Sequence, residues 1–277
     1  MNRSSFLKRL LTIHLPAAFV VLLAVGPFAW MVLTSLTPSA DIAARGVSLT
    51  PAGWSSDNYA RLLGRTSFLA NMGHSLIVAL GTVALGLLVS VSAAYAFSRF
   101  RFPGRRLLML QFLLVNMFPI VLLILPLFVL MRRFGILDTH LGLIIANATT
   151  AIPFAVWMLT SYVGAIPKSL DEAAMIDGCS RLSAMRRVVL PLALPGIIST
   201  GIYIFITAWN EYLYALTLGG RNVRTVTVAI QTLIGEFQIE WGLLAAGGVF
   251  GALPVTILFL LVQRRLVGGL TQGAVKG

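Results

Sequence analysis

Charge is scarce in this chain. Of its 277 residues only 11% are Asp, Glu, Lys or Arg, against about 25% in soluble domains. Lysine is nearly missing: Lys8, Lys168 and Lys276 are all there are. None follows the glycines of a G-x-x-x-x-G-K-[ST] loop, which excludes ATP binding by that route. A single cysteine, Cys179, excludes an intramolecular disulfide and reads as a small packing residue. The three histidines, His14, His74 and His140, fall on different segments without metal-ligand spacing. They read as packing or interfacial groups. The nine carboxylates are dispersed and offer no pair for acid–base work, and no G-x-S-x-G nucleophile turn exists. Enzyme activity, a metal site and a cofactor bound by this chain are therefore not expected.

Apolar surface is what the chain has in quantity. Hydrophobic residues make up 58% of it and the mean hydropathy is +0.90, the composition of an integral membrane protein. The net charge of +12 does not point to nucleic acid, because the basic residues punctuate the ends of apolar runs instead of gathering on one face. The lipid bilayer is the partner this pattern fits.

Six apolar runs are long enough to span, at roughly 20 residues each: about 11–34, 70–97, 107–131, 141–163, 196–218 and 243–263. They predict an all-α membrane protein of six transmembrane helices, one domain over 1–277. The first run follows Arg3, Lys8 and Arg9 but exceeds the h-region of a signal peptide, so an uncleaved span is preferred; cleavage ahead of Asp41 stays open. Pro119 and Pro126 predict a kink in the third run. Residues 37–69 form a polar loop with a short interfacial helix over 56–63. The segment 219–242 is a second polar loop.

Orientation follows from Lys and Arg. With the N-terminus inside, the inner segments hold Arg3, Lys8, Arg9, Arg99, Arg101, Arg105, Arg106, Lys168, Arg181, Arg186, Arg187, Arg264, Arg265 and Lys276. The outer loops hold Arg45, Arg61, Arg65, Arg132, Arg133, Arg221 and Arg224. The bias of 14 to 7 predicts both termini in the cytoplasm. It also puts the loop over 167–196, between the fourth and fifth spans, on the cytoplasmic side.

That loop is the most specified polar stretch of the chain. Ser169 and Glu172 are spaced as a capping box, and Asp171 and Glu172 suit the positive end of a helix. Gly178 suits the left-handed position after a last turn. The expectation is a helix of about two turns over 170–177, too short to stand alone and hence docked on something.

One carboxylate lies inside an apolar run. Glu211, in W-N-E-Y-L-Y, sits about 22 Å up the fifth span at 1.5 Å per residue. An ionisable group there is by default a functional candidate. It reads equally as lining for a path, with Asn210 and Tyr214, and as a hydrogen-bonded group holding helices together. Asn116 and Asn147 pose the same choice and favour helix–helix bonding. Trp30, Trp157 and Trp209 read as interface or packing residues.

Glu172-Ala173-Ala174, Gly178, Val188 and Leu190-Pro191 are spaced as E-A-A-x3-G-x9-I-x-L-P, with Val in place of Ile at 188. This resembles the EAA loop of ABC importer permeases. Asn58-Tyr59, the segment from Phe97 to Gly104, Asp138-Thr139, Ile152-Pro153-Phe154, Trp209-Asn210-Glu211 and the ending from Gly269 to Gly277 are similar to the MalG-like carbohydrate subfamily, from about Leu33 onward.

The resemblance implies a permease subunit in a bacterial or archaeal plasma membrane. It would pair with a second homologous permease, two ATPase subunits that carry ATP and Mg, and an extracytoplasmic solute-binding protein. Glu172, Ala173, Ala174, Asp177 and Gly178 would form the coupling helix against an ATPase. Asn116, Asn147, Asn210, Glu211 and Tyr214 are candidates for the translocation path. Glu236, Glu240 and Trp241 are candidates for contact with the binding protein, or parts of a solvated connector. A di- or oligosaccharide such as maltose, maltodextrin or trehalose is the expected cargo. The alternative is a proton-coupled secondary transporter using Glu211.

Overall fold

A computed structural model describes residues 10–235 and 239–274. Helices dominate: among the described residues the β content is one isolated bridge, Ile234 to Ile239. A π-turn, Leu10–His14, leads into α1, Leu15–Leu36. The polar segment that follows holds α2, Ser39–Arg45, a 3-10 turn, Pro51–Gly53, and α3, Asp57–Arg65. Next come α4, Phe68–Arg99, α5, Arg105–Met117, α6, Ile120–Arg133, and α7, His140–Ala165. The loop after α7 carries α8, Lys168–Ile176, then α9, Arg181–Ala184, a π-turn, Met185–Val189, and α10, Leu190–Leu192. The chain ends with α11, Leu194–Trp209, α12, Leu213–Leu218, α13, Val226–Gln231, and α14, Trp241–Ala274.

Among the described residues four helices are long and apolar enough to cross a membrane: Thr12–Leu36, Phe68–Arg99, His140–Ala165 and Trp241–Gln263. Two bent pairs bring the number to six when each is taken as one span. The first pair, α5 and α6, turns by 99°. The turn falls at Phe118 and Pro119, both extended, because proline has no N–H and disfavours helix in the residue before it. Pro126 stays inside α6. The anticipated kink is thus a sharp break at one proline and continuous helix at the other. The second pair, Arg181–Leu192 with Leu194–Trp209, turns by 77°.

The described residues divide into two compact units, one of residues up to Leu69 with Ile230–Leu253, the other Ala70–Ala229 with the residues from Pro254. In the first, Asn58 is buried and its amide donates to the carbonyls of Ser35 at 2.9 Å and Thr37 at 2.8 Å. It so satisfies orphan acceptors at the end of α1. Ser39 Oγ donates back to Asn58 Oδ1 at 3.2 Å, and the hydroxyls of Tyr59 and Ser35 lie 2.6 Å apart. These bonds explain why an Asn-Tyr pair opens α3. The rest of α1 exposes Phe19, Leu22, Leu23, Phe28 and Trp30, a surface suited to lipid rather than water.

In the second unit α7 is the central element. Its buried residues Leu143, Ala146, Ala151, Ala155, Leu159 and Val163 run along the helix and enter three successive core clusters. Those clusters add Val78, Ala94 and Tyr95 of α4, Met131 of α6, Ile204 of α11 and Tyr214 of α12. Close crossings use glycine, as membrane helix contacts do. A Cβ at Gly196 would stand 2.8 Å from Cβ of Tyr162, and one at Gly81 would meet the side chain of Ile144.

Candidate functional site

Helix α8 begins one residue ahead of the expected cap. Pro167 takes the N-cap position at ψ 133, with no side-chain cap bond, and its carbonyl accepts the N–H of Leu170 at 3.3 Å. Ser169 is therefore inside the helix and exposed, and the capping box with Glu172 does not form. The reason is Pro167 itself, which reaches the extended N-cap geometry directly and displaces the start of the helix toward the N-terminus.

The other end is a Schellman turn. The N–H of Gly178 bonds Met175 O at 3.1 Å, the N–H of Cys179 bonds Ala174 O at 3.0 Å, and Gly178 has φ +88. Only glycine takes that torsion without strain.

The helix period then sorts its residues. Asp171 and Ala174, three apart, are buried; Glu172, Ala173, Ile176 and Asp177 are exposed. Ala174 therefore packs on its own chain, and the outward face includes Leu170, Glu172, Ala173 and Ile176. Ile176, 86% exposed, is an apolar knob that the sequence motif leaves unmarked. Burial of Asp171 is the signal behind it: once one side of a two-turn helix is fixed inward, the other side is fixed outward.

Asp171 also does more than face a helix dipole. It forms an ion pair with Arg99, the last residue of α4, with side-chain exposures of 4% for Arg99 and 8% for Asp171. Arg99 Nη1 donates to Val163 O in the last turn of α7 at 3.2 Å, where carbonyls lack helical partners and a cation is favoured. Next door, Arg181 lies over the ring of Phe100 at 5.4 Å.

The fifth span is broken at Asn210–Tyr212. Glu211 explains how the break is tolerated: its carboxylate accepts the N–H of Tyr214 at 2.8 Å and of Ala215 at 3.0 Å. It caps the first turn of α12, whose N–H groups have no helical partner. Thr227 Oγ1 donates to the Glu211 carbonyl at 2.9 Å. Of the remaining path candidates, Asn210 is exposed at the break, while Tyr214 is fully buried in the core around Val78 and Leu143. Asn147 is buried and donates to Leu143 O at 2.9 Å; Asn116 is exposed and donates to Phe112 O at 3.0 Å. Both asparagine amides so serve the carbonyl four residues back in their own helix, not a neighbouring helix.

Of the binding-protein candidates, Glu240 pairs with Arg61 at 2.8 Å, Trp241 is 55% exposed at the start of α14, and Glu236 lies outside the described residues. Ser39, Ile42, Arg61, Glu240 and Trp241 line one open recess.

Two further long-range contacts have no local signal in the sequence. His74 and His140 are brought together, Nδ1 to Nε2 at 2.8 Å. Among the described residues no group of three His, Cys, Asp or Glu gathers as a metal would need. The second contact is Asp138, at φ 55. Its carboxylate accepts the N–H groups of Arg221 and Asn222 at 3.1 Å and of Val223 at 3.0 Å. This clips the α6–α7 turn to the turn after α12. Burial alone would raise the Asp138 pKa, but the N–H groups of Val223, Asn222, Arg221 and Gly220 outweigh it and hold the pKa below its ordinary value.

A pH dependence follows. A depressed folded pKa means that the clip is fully present above the ordinary carboxylate value of about 3.9 and is lost as pH falls through the lower folded value. Asp138→Asn removes the charge at every pH. The variant should melt about 2–4 °C below wild type between pH 5 and 8, and the gap should close below about pH 4. Melting curves of the detergent-solubilised protein measure it.

Residues 86–272 match the family described as "Binding-protein-dependent transport system inner membrane component". The chain belongs to that family. It is 37% identical to the sulfoquinovosyl glycerol transport system permease protein SmoH of Agrobacterium fabrum, covering 91% of this chain and 88% of that one. It is 38% identical to the trehalose transport system permease protein SugB of Mycobacterium tuberculosis, covering 93% and 94%. It is 36% identical to the trehalose/maltose transport system permease protein MalG of Thermococcus litoralis, covering 99% of both. In fold it resembles a chain of a bacterial ABC transporter that imports the acidic polysaccharide alginate, with a TM-score of 0.80 over 95% of this chain and 98% of that one, at 24% identity. This permease is thus an inner-membrane transport subunit and not an enzyme. Permeases of its family work with a solute-binding protein and ATPase subunits.

Proposed function

We propose that this permease forms half of the translocation path of an ATP-driven importer for a di- or oligosaccharide, with trehalose, maltose and maltodextrin as the first candidates. The observation that carries the cargo is identity of 36–38% along nearly the whole chain to permeases named for trehalose and for trehalose/maltose. A second homologous permease completes the path. ATP and Mg bind on the two ATPase subunits, since this chain has no phosphate loop.

The outward face of α8, Glu172, Ala173 and Ile176, with Asp177 and the Gly178 turn, is the ATPase contact. Ala173 leaves the surface shallow, Ile176 fills an apolar pocket and Glu172 meets a basic group. The excess of Lys and Arg on one set of segments supports both termini, and α8, on the cytoplasmic side. Trp241 and the recess beside Glu240 are the contact for the binding protein. The bonds made by Glu211 favour a structural carboxylate over a proton carrier.

The test is a sugar panel offered to the cognate binding protein, followed by ATPase assays on the assembled complex in lipid vesicles. Trehalose or maltose should bind at micromolar Kd or tighter and stimulate hydrolysis about ten-fold (about 1.4 kcal/mol off the barrier). Stimulation by a sulfoquinovosyl glycoside alone would overturn the cargo assignment. Uptake without ATPase subunits would overturn the coupling.

A further inference from the structure

Helix α8 is joined by the chain to two membrane segments only. Ile166 and Pro167 connect it to α7, and the stretch from Asp177 connects it toward α11. Helix α4 is remote in sequence, yet its end is attached to α8 itself and to the start of α9 just after it. Arg99 pairs with Asp171 near the start of α8. Arg181, five residues past the last residue of α8, lies over Phe100, and the Tyr95 hydroxyl faces the Arg181 carbonyl at 3.5 Å. Ser98 Oγ donates to Thr160 O at 3.2 Å and Arg99 Nη1 to Val163 O, so α7 joins the same junction.

Stability does not account for the pair. Burying two charges is costly, and an apolar pair of the same volume is often as stable. Here Arg99 Nη2 and Asp171 Oδ1 are buried with no hydrogen-bond partner, so the pair is not even fully satisfied. What it provides is direction: a planar guanidinium holding one carboxylate and one helix-end carbonyl permits one relative placement of three helices.

We infer that the Arg99–Asp171 pair is the link that makes α4 move as one body with the ATPase-coupling helix. Arg99 and Asp171 are positioning residues for transport. Force applied to the outward face of α8 reaches α7 through the chain and α4 through this pair. Both membrane helices that pack on each other in the core then start together. Without the pair, α4 keeps only the contacts of Tyr95, Ser98 and Phe100 and its core packing on α7, and it follows α8 less closely.

The inference rests on α8 being the coupling helix, and its test separates the two. In the assembled complex, with Cys179→Ser, spin labels are placed at Ser169→Cys on α8 and Ser92→Cys on α4, both exposed. Their distance is measured without nucleotide and with ATP trapped. With the pair intact, the mean distance should stay within about 2 Å between states, the scale of a small helix adjustment. In R99M/D171L, where no lone charge is left behind, it should shift or broaden on ATP binding, and sugar moved per ATP hydrolysed should fall about ten-fold (1.4 kcal/mol).

A wild-type distance that changes with ATP overturns the link, and so does a fixed distance in R99M/D171L. If R99M/D171L does not assemble, the wild-type arm decides alone. A complex with no ATP-driven uptake in wild type sinks the proposed function instead, whatever the spin distance does.

Discussion

Gly178→Val is expected to abolish ATP-driven uptake while the chain still inserts in the membrane. The backbone there has φ +88, and no atom stands within 4 Å of where a Cβ would be. The obstacle is torsional. A residue other than glycine pays about 1–2 kcal/mol in the left-handed region, and a β-branched one is an outlier there. The variant escapes by leaving that region, which breaks the bonds from Gly178 N to Met175 O and from Cys179 N to Ala174 O. The chain then leaves α8 in another direction and rotates the face of Glu172, Ala173 and Ile176. Insertion persists because the apolar spans are untouched. Asparagine, which tolerates the left-handed region better, should retain part of the activity. Uptake into vesicles and copurification of the ATPase measure both effects. Wild-type uptake in Gly178→Val would remove α8 from the coupling path.

Glu211→Ala should be the most destabilising change in the fifth span. The N–H groups of Tyr214 and Ala215 lose their acceptor at the start of a helix of six residues, too short to hold without its cap. Each buried orphan donor costs about 1–3 kcal/mol. For two donors the melting temperature of the solubilised complex should fall by roughly 5–10 °C, and uptake with it. Glu211→Gln keeps one acceptor and should retain most of the uptake. The opposite pattern, a stable Glu211→Gln complex that no longer transports, would return the proton-coupled reading.

Glu211 also marks where sequence reading reaches its limit. Its place in an apolar run flagged it, but the run of 196–218 carried no sign that the helix stops at Trp209. A cap is recognised only once the helix start it serves is known. Asn147 and Tyr214 stand out in the sequence as polar groups in apolar runs, and burial assigns them to the core. Ala174 carries the family motif yet faces inward, whereas Ile176 lies outside the motif and faces out. Ser169 has the residue type and the spacing to Glu172 of a capping box, but Pro167 two positions earlier takes the N-cap and decides the start.

The sequence by itself determined what depends on a few neighbouring residues. Hydropathy over about 20 residues marks each span. Pro119 and Pro126 mark the third span for a kink because the ring and missing N–H of proline act on the adjacent turn, while the break at Pro119 and not at Pro126 belongs to the fold. Gly178 ends α8 because one torsion demands it. Only the tertiary structure decided which distant groups meet. Arg99 finds Asp171, Asp138 finds the 221–223 turn, and His74 finds His140 because packing of helices around α7 sets those positions. Local torsion and hydropathy fix the helices, but the pairing of buried charges follows from how the helices are packed, which no short stretch of this chain contains.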